Sequence, residues 1–218
     1  ATDYGILKTM TFLDEILELK RKRVEEAKAK YKKPETAHQR PKHLLRNALE
    51  NFDGINIIAE IKRASPSKGI INDQIDVAEV ARMYESGGAK AISVLTEEDR
   101  FKGSLDDLRI ARSVVSIPIL RKDFVFNEFQ IYEAKDAGAD VILLIVAMLD
   151  DAQLLKLHRL AEEELGLDAL VEVHTLEELE RAKSLGAKII GVNNRDLHSF
   201  KVSLDVSRQL IKHAPKDA

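Results

Sequence analysis

The chain has 218 residues, 44% of them hydrophobic and 33% charged, with 34 Lys and Arg against 37 Asp and Glu, no Cys and no Trp. That is the composition of a folded protein with one sizeable core, and a net charge of −3 offers no global cationic surface for nucleic acid, so any anion site must be local. Zero cysteines exclude disulfides, thiolate metal sites and a cysteine nucleophile and fit a cytoplasmic protein, while the longest apolar run, residues 141–149, is about half of what a membrane-spanning helix needs.

Residues 11–31 carry Phe12, Leu13, Ile16, Leu17, Leu19 and Val24 at helical spacing and predict a helix with one buried stripe. A second helix, over 42–50, follows Pro41. The basic run 20–23 is interleaved with Glu15, Glu18, Glu25 and Glu26 at i, i+4 distances and reads as a solvated helix face, not an RNA or membrane contact. From Asn56 onward the pattern changes. Short β-rich runs at 57–61, 91–95, 117–120, 141–146, 169–173 and 189–192 alternate with helical stretches at about 76–86, 105–114, 128–137, 152–165, 176–185 and 204–213. Gly87-Gly88, Gly138, Gly166 and Gly186 end four of these helices, as expected for the left-handed residue that follows a helix. Thr175 and Glu178 form a capping-box pattern at the start of the fifth. Six βα units in register imply a parallel sheet. With no linker in sight, residues 1–54 are expected to be an N-terminal helical extension packed on a body formed by 55–218, together a single domain.

A parallel α/β sheet is either doubly wound and open or closed into a TIM barrel. The first strand runs into Lys62-Arg63-Ala64-Ser65-Pro66-Ser67-Lys68-Gly69, which has one glycine and neither a dinucleotide nor a Walker pattern. Polar residues gather instead at the C-terminal ends of many strands: Glu60 and Lys62, Thr96 and Glu97, Lys122 and Asp123, Glu172 and His174, Asn193 and Arg195. A barrel explains this, because all its βα loops face one mouth.

Strand alternation puts Glu60 with Lys62, Leu120 with Lys122 and Phe124, and Asn193 with Arg195 on shared faces. Buried charges are costly unless paired. Glu60, Lys62, Lys122, Glu172 and Arg195 are therefore either structural ion pairs closing the barrel top or an acid–base site for a small anion. Charges at four strand ends of six, in a fold whose sites lie at that face, favour the site. No metal is expected, since histidines such as His38, His43, His158 and His198 are scattered without ligand spacing. His174 reads as a loop residue behind the site, and Ser65 lacks the neighbours of a serine nucleophile.

The segment Ile58-Ala59-Glu60-Ile61-Lys62-Arg63-Ala64-Ser65-Pro66-Ser67-Lys68-Gly69 resembles the first-strand motif of the indole-3-glycerol phosphate synthase family. Thr96-Glu97 with Phe101-Lys102-Gly103-Ser104, then Pro118 to Phe124, Asp140 to Val146, Leu170 to His174, and Asn193-Asn194-Arg195-Asp196-Leu197 are similar to its second to sixth strands, in order.

The resemblance implies a TIM (β/α)8-type barrel and the conversion of 1-(2-carboxyphenylamino)-1-deoxyribulose 5-phosphate to the indole product by ring closure, decarboxylation and dehydration, as a carboxy-lyase of tryptophan biosynthesis. It implies Lys122 as general acid, Lys62 or Lys122 with Glu172 in the dehydration, Glu60 as the carboxylate that orients them, and Asn193 as a hydrogen-bonding catalytic residue. Ser65, Phe101, Phe124, Leu143 and Arg195 are implied as substrate contacts. No cofactor is expected, because the iminium formed on ring closure is itself the electron sink.

The family pattern has eight βα units and this sequence carries six, without the last two loops that such barrels commonly use for phosphate. The expectation is a chain that turns over poorly by itself and whose outer strands favour self-association or a completing C-terminal fragment. A non-catalytic barrel fragment and another phosphosugar barrel, such as phosphoribosylanthranilate isomerase, are the alternatives.

Overall fold

The computed structural model describes residues 11–32, 40–51, 54–196, 201–216 and 218. His38, Leu197 and His198 lie outside these. Helices α1 (Phe12–Lys30) and α2 (Leu44–Glu50) precede strand β1 (Ile58–Ile61) and a small hairpin, β2 (Ala64–Ser65) and β3 (Gly69–Ile70). Then follow α3 (Val77–Ser86), β4 (Ala91–Leu95), α4 (Leu105–Val114), β5 (Ile119–Lys122), α5 (Glu128–Ala137) and β6 (Val141–Ile145). The order continues with α6 (Asp151–Arg159), β7 (Asp168–Val173), α7 (Leu176–Leu185), β8 (Ile189–Val192) and α8 (Asp205–Leu210).

The main sheet has six parallel strands in the order β1-β4-β5-β6-β7-β8, so every strand lies beside its successor in the βα series. A doubly wound sheet reverses this order at a switch point. Here no reversal occurs, and right-handed crossovers then put the helices that connect the strands on one face. The result is a curled, open barrel of six βα units. Ile92, Val94, Ile119, Ile142, Leu144, Val171 and Val173 face outward into a core shared with the helices. Ala91, Leu120, Val141, Leu143 and Ile145 form a second cluster on the concave face.

The N-terminal ends of the strands are closed by α2, whose Leu45 is fully buried in the concave cluster. His43, at the start of α2, is left-handed (φ 53°) and provides no side-chain cap. Asp168 of β7 supplies one from across the barrel, accepting from the N–H groups of Leu45 at 2.8 Å and Arg46 at 3.2 Å. Burial pushes the Asp168 carboxyl above its usual range against those bonds.

Helix α1 lies on the outer face. Ile16, Lys20 and Val24, at i, i+4 and i+8, are its buried stripe. The reading of the basic run as a solvated face holds for Arg21, Lys22 and Arg23, which are exposed, and is corrected at Lys20. Lys20 is 5% exposed and reaches Asp123 at 2.8 Å, and Arg23 grips Asp99 with two bonds of 2.7 Å.

Other local expectations moved for identifiable reasons. The third main strand was expected at 117–120 and runs Ile119–Lys122, because Pro118 has no N–H to enter the ladder and the charged end of the strand finds partners. Only half of the capping box at α7 forms: Thr175 accepts from Glu178 N–H, but the Glu178 carboxylate accepts from His174 N–H at 2.6 Å. Gly138 (φ 93°) and Gly186 (φ 78°) take the left-handed position after α5 and α7, and Gly88, not Gly87, does so after α3.

Candidate active site

All ten residues expected at the site line one cavity of about 320 Å³ at the C-terminal ends of the strands: Glu60, Lys62, Ser65, Phe101, Lys122, Phe124, Leu143, Glu172, Asn193 and Arg195. This volume is at the small-ligand end of binding pockets. The side chains on the strands reach it through strand parity, and the others through the loops that follow. Glu60 follows Ile58 on the inward face of β1, Lys122 follows Leu120 on β5, and Glu172 follows Leu170 on β7.

At its centre Glu60 stands between two lysines. One carboxylate oxygen accepts from Lys62 Nζ, and the other lies 3.8 Å from Lys122 Nζ. The three side chains are 30%, 31% and 34% exposed, so they are paired without being sealed from solvent. One carboxylate serves two ammonium groups, which leaves one surplus positive charge facing the cavity. Glu172, opposite, is 9% exposed at its side chain and accepts from Asn193 Nδ2 at 3.0 Å. Asn193 Oδ1 in turn accepts from Arg195 N–H at 3.0 Å, which fixes the start of the loop that carries Arg195.

Phe101 and Phe124 form an apolar side of the cavity, with ring centroids 6.3 Å apart and planes tilted by 44°. The hairpin β2–β3 brings in Ser65, and the N–H of Ala64 donates to Phe101 O at 3.1 Å, joining two loops of the rim. Leu143 belongs to the concave apolar cluster beneath.

The other polar residues at the strand ends divide differently. Asp123 is fully buried, and although burial opposes ionisation, Lys20 and Arg121 hold its carboxyl down to about 2. Thr96 also donates to it, at 2.6 Å. Glu97 is spent on backbone N–H groups of its own loop. His174 lies behind Glu172, with Nε2 at 3.4 Å from Glu172 and Nδ1 at 3.1 Å from Glu178. Burial works against the imidazolium, but the Glu178 hydrogen bond and the charges of Glu172, Glu178 and Asp196 outweigh it and raise its pKa.

Sequence reasoning missed Phe12, Lys68, Ile71 and Leu95 among the lining residues. Lys68 lies within the first-strand motif and was open to detection there. Phe12, at the start of α1, gave no local signal, because nothing in a helical stripe tells which distant loop its first turn meets.

An open barrel of sequential βα units, with a cluster of lysines and carboxylates lining a cavity at its C-terminal mouth, has the architecture of the βα-barrel enzymes. Comparison with known proteins narrows the class. Residues 13–218 match the indole-3-glycerol phosphate synthase family, and the chain belongs to that family. Among its relatives, the indole-3-glycerol phosphate synthase of Carboxydothermus hydrogenoformans is 47% identical over 209 residues, covering 91% of this chain and 79% of that protein. That of Leifsonia xyli is 51% identical over 171 residues, 78% of this chain and 65% of its own length. That of Aquifex aeolicus is 48% identical over 209 residues, 95% of this chain and 79% of that protein. The matched region therefore spans between about two thirds and four fifths of these relatives. Among the described residues no helix is long and apolar enough to cross a membrane.

Proposed function

We propose that the cavity binds 1-(2-carboxyphenylamino)-1-deoxyribulose 5-phosphate and converts it to indole-3-glycerol phosphate with release of carbon dioxide and water. The observation that carries this reading is the Glu60-bridged lysine pair facing the two phenylalanines within one cavity. The aromatic ring of the substrate takes the apolar side, against Phe101 and Phe124, and the charged parts take the side of Lys62, Lys122 and Arg195.

Ring closure joins the ring carbon that bears the carboxylate to the ketone carbon. Negative charge develops on the ketone oxygen, and Lys122 delivers a proton to it. At 3.8 Å from Glu60, Lys122 keeps its donors free for the substrate, whereas Lys62 is held closely. The resulting iminium accepts the electron pair of the breaking carbon–carboxylate bond, and loss of carbon dioxide restores the aromatic ring. In the last step a lysine protonates the departing hydroxyl, which leaves as water, and Glu172 takes the proton from the adjacent carbon. Asn193 orients Glu172 through its 3.0 Å bond. Ser65 contributes a hydroxyl to substrate binding.

The N-terminal segment, residues 1–54, is read as an extension of the same domain. The Lys20–Asp123 pair and the seating of Leu45 in the concave cluster support this. Within the described residues β1 and β8 each pair on one side only, which supports association of these edges with another copy or with further βα units. Light scattering after size exclusion tests it: a strictly monomeric species at all concentrations argues against self-association. A sequence without cysteine supports a cytoplasmic setting.

The chain contains no tryptophan, so indole fluorescence from the product appears without tryptophan background. Incubation with the substrate is expected to give that fluorescence together with stoichiometric carbon dioxide. Product binding without any turnover at high enzyme concentration would count against the catalytic reading.

A further inference from the structure

We propose that Glu97 is a positioning residue that sets Phe101 as a fixed wall of the cavity, deepening the functional reading above and resting on it. Glu97 follows β4 and is 2% exposed. A carboxylate so placed is costly unless its oxygens are satisfied. Both are satisfied by three successive backbone donors of one short loop: Oε1 accepts from Asp99 N–H at 2.9 Å, and Oε2 from Arg100 N–H at 2.7 Å and Phe101 N–H at 2.9 Å. The side chain thus grips the backbone of the residue whose ring lines the cavity.

The rest of the loop closes around this grip. Gly103 N–H donates to Glu97 O at 2.8 Å, and Lys102 takes a left-handed conformation (φ 57°) to bring the chain back. A side chain at position 103 has no room, since a Cβ there would lie 2.1 Å from Leu95 O. Outside the loop, α1 braces the same residues through Arg23 on Asp99 and Glu15 on Arg100. Phe101 O then accepts from Ala64 N–H at 3.1 Å, so the position is passed on to the hairpin that carries Ser65. The opposite wall is held in a comparable way: fully buried Gln130 donates to Phe124 O at 2.9 Å, and Asp123 accepts from Phe124 N–H at 2.9 Å. Phe124, however, follows its strand directly, whereas Phe101 stands six residues beyond Leu95 and depends on Glu97 for its place.

The test combines Glu97→Gln, Phe101→Ala and the double variant in the full chain, with amide hydrogen exchange and substrate kinetics. In Glu97→Gln one acceptor oxygen becomes a donor that faces backbone donors. Exchange at Asp99, Arg100 and Phe101 is expected to accelerate while the strands keep their protection, and KM to rise on the order of tenfold, the worth of an aromatic contact, with a smaller change in kcat. In the double variant KM should exceed that of Phe101→Ala by much less than tenfold, because both changes remove the same contact. Glu97→Asp, which keeps the charge with a shorter reach, should fall between parent and Gln and serves if Gln fails to fold. Unchanged exchange at residues 99–101, or fully additive effects on KM, would overturn the proposal. A Phe101→Ala variant with unchanged KM and accelerated exchange in Glu97→Gln would instead overturn the reading of Phe101 as a substrate wall.

Discussion

Strand β5 carries Arg121 and Lys122 side by side, and they belong to two charge clusters of opposite character. On the outer face Arg121 meets Asp123, Thr96 and Glu133, and Lys20 of α1 completes the set. Lys20, Arg121 and Asp123 are at most 6% exposed at their side chains, and each charge has partners within hydrogen-bonding reach. On the inner face Lys122 shares one carboxylate with Lys62, and all three groups remain about a third exposed over an open cavity. The outer cluster is saturated and sealed, which makes it a device for docking α1. The inner cluster has surplus positive charge and room for a ligand, which suits it to chemistry. Similar residue types therefore acquire different roles from burial and stoichiometry of charge.

Changes on either side can break this contrast. Lys20→Met removes the cation from a sealed pair and should destabilise the chain by about 3 kcal/mol in chemical denaturation, with the activity of the folded fraction kept. Lys122→Met should leave the unfolding midpoint near that of the parent and lower turnover on the order of 10²-fold or more. The pH dependence of stability separates the clusters further. Asp123, held down to about 2 from 3.8, contributes stability that is complete above about pH 3.8 and is lost as the pH falls through about 2, and denaturation below pH 4 should show it. His174 acts in the opposite sense. Its raised pKa stabilises the fold below pH 6.5, and that contribution fades as the pH rises above the ordinary histidine value; His174→Gln should flatten this part of the stability profile. The smallest effect is expected from Arg23→Ala, whose side chain is 43% exposed, at no more than about 1 kcal/mol by thermal or chemical unfolding.

The barrel was legible because its signals are local and repeated: apolar runs of strand length, helices ended by glycine, and polar residues at the same end of five of the six strands. Glu60, Lys122 and Glu172 were legible because period-two alternation fixes their face once the strands are located, whereas Ser65, Phe101 and Leu143 were reached only through the family resemblance. What escaped depends on contacts between distant segments. Lys20 looked solvated since its partner, Asp123, stands 103 positions away. Leu45 closes the barrel bottom through Asp168, and nothing within residues 42–50 points there. Glu97 gave a signal, a charge at a strand end, but alternation alone did not distinguish a residue that faces the cavity from one that folds back on its own loop. The short hairpin at Ala64–Ser65 and Gly69–Ile70 also escaped, because two-residue strands have no periodicity to read.

The contrast between the two clusters is tested most directly by product fluorescence from Lys122→Met and Lys20→Met, measured against the parent at equal folded fraction. The expected result is a rate for Lys20→Met that matches the parent and one for Lys122→Met lower on the order of 10²-fold or more. A near-normal rate for Lys122→Met, or equal losses in both variants, would contradict the assignment of the inner cluster to catalysis and the outer one to docking.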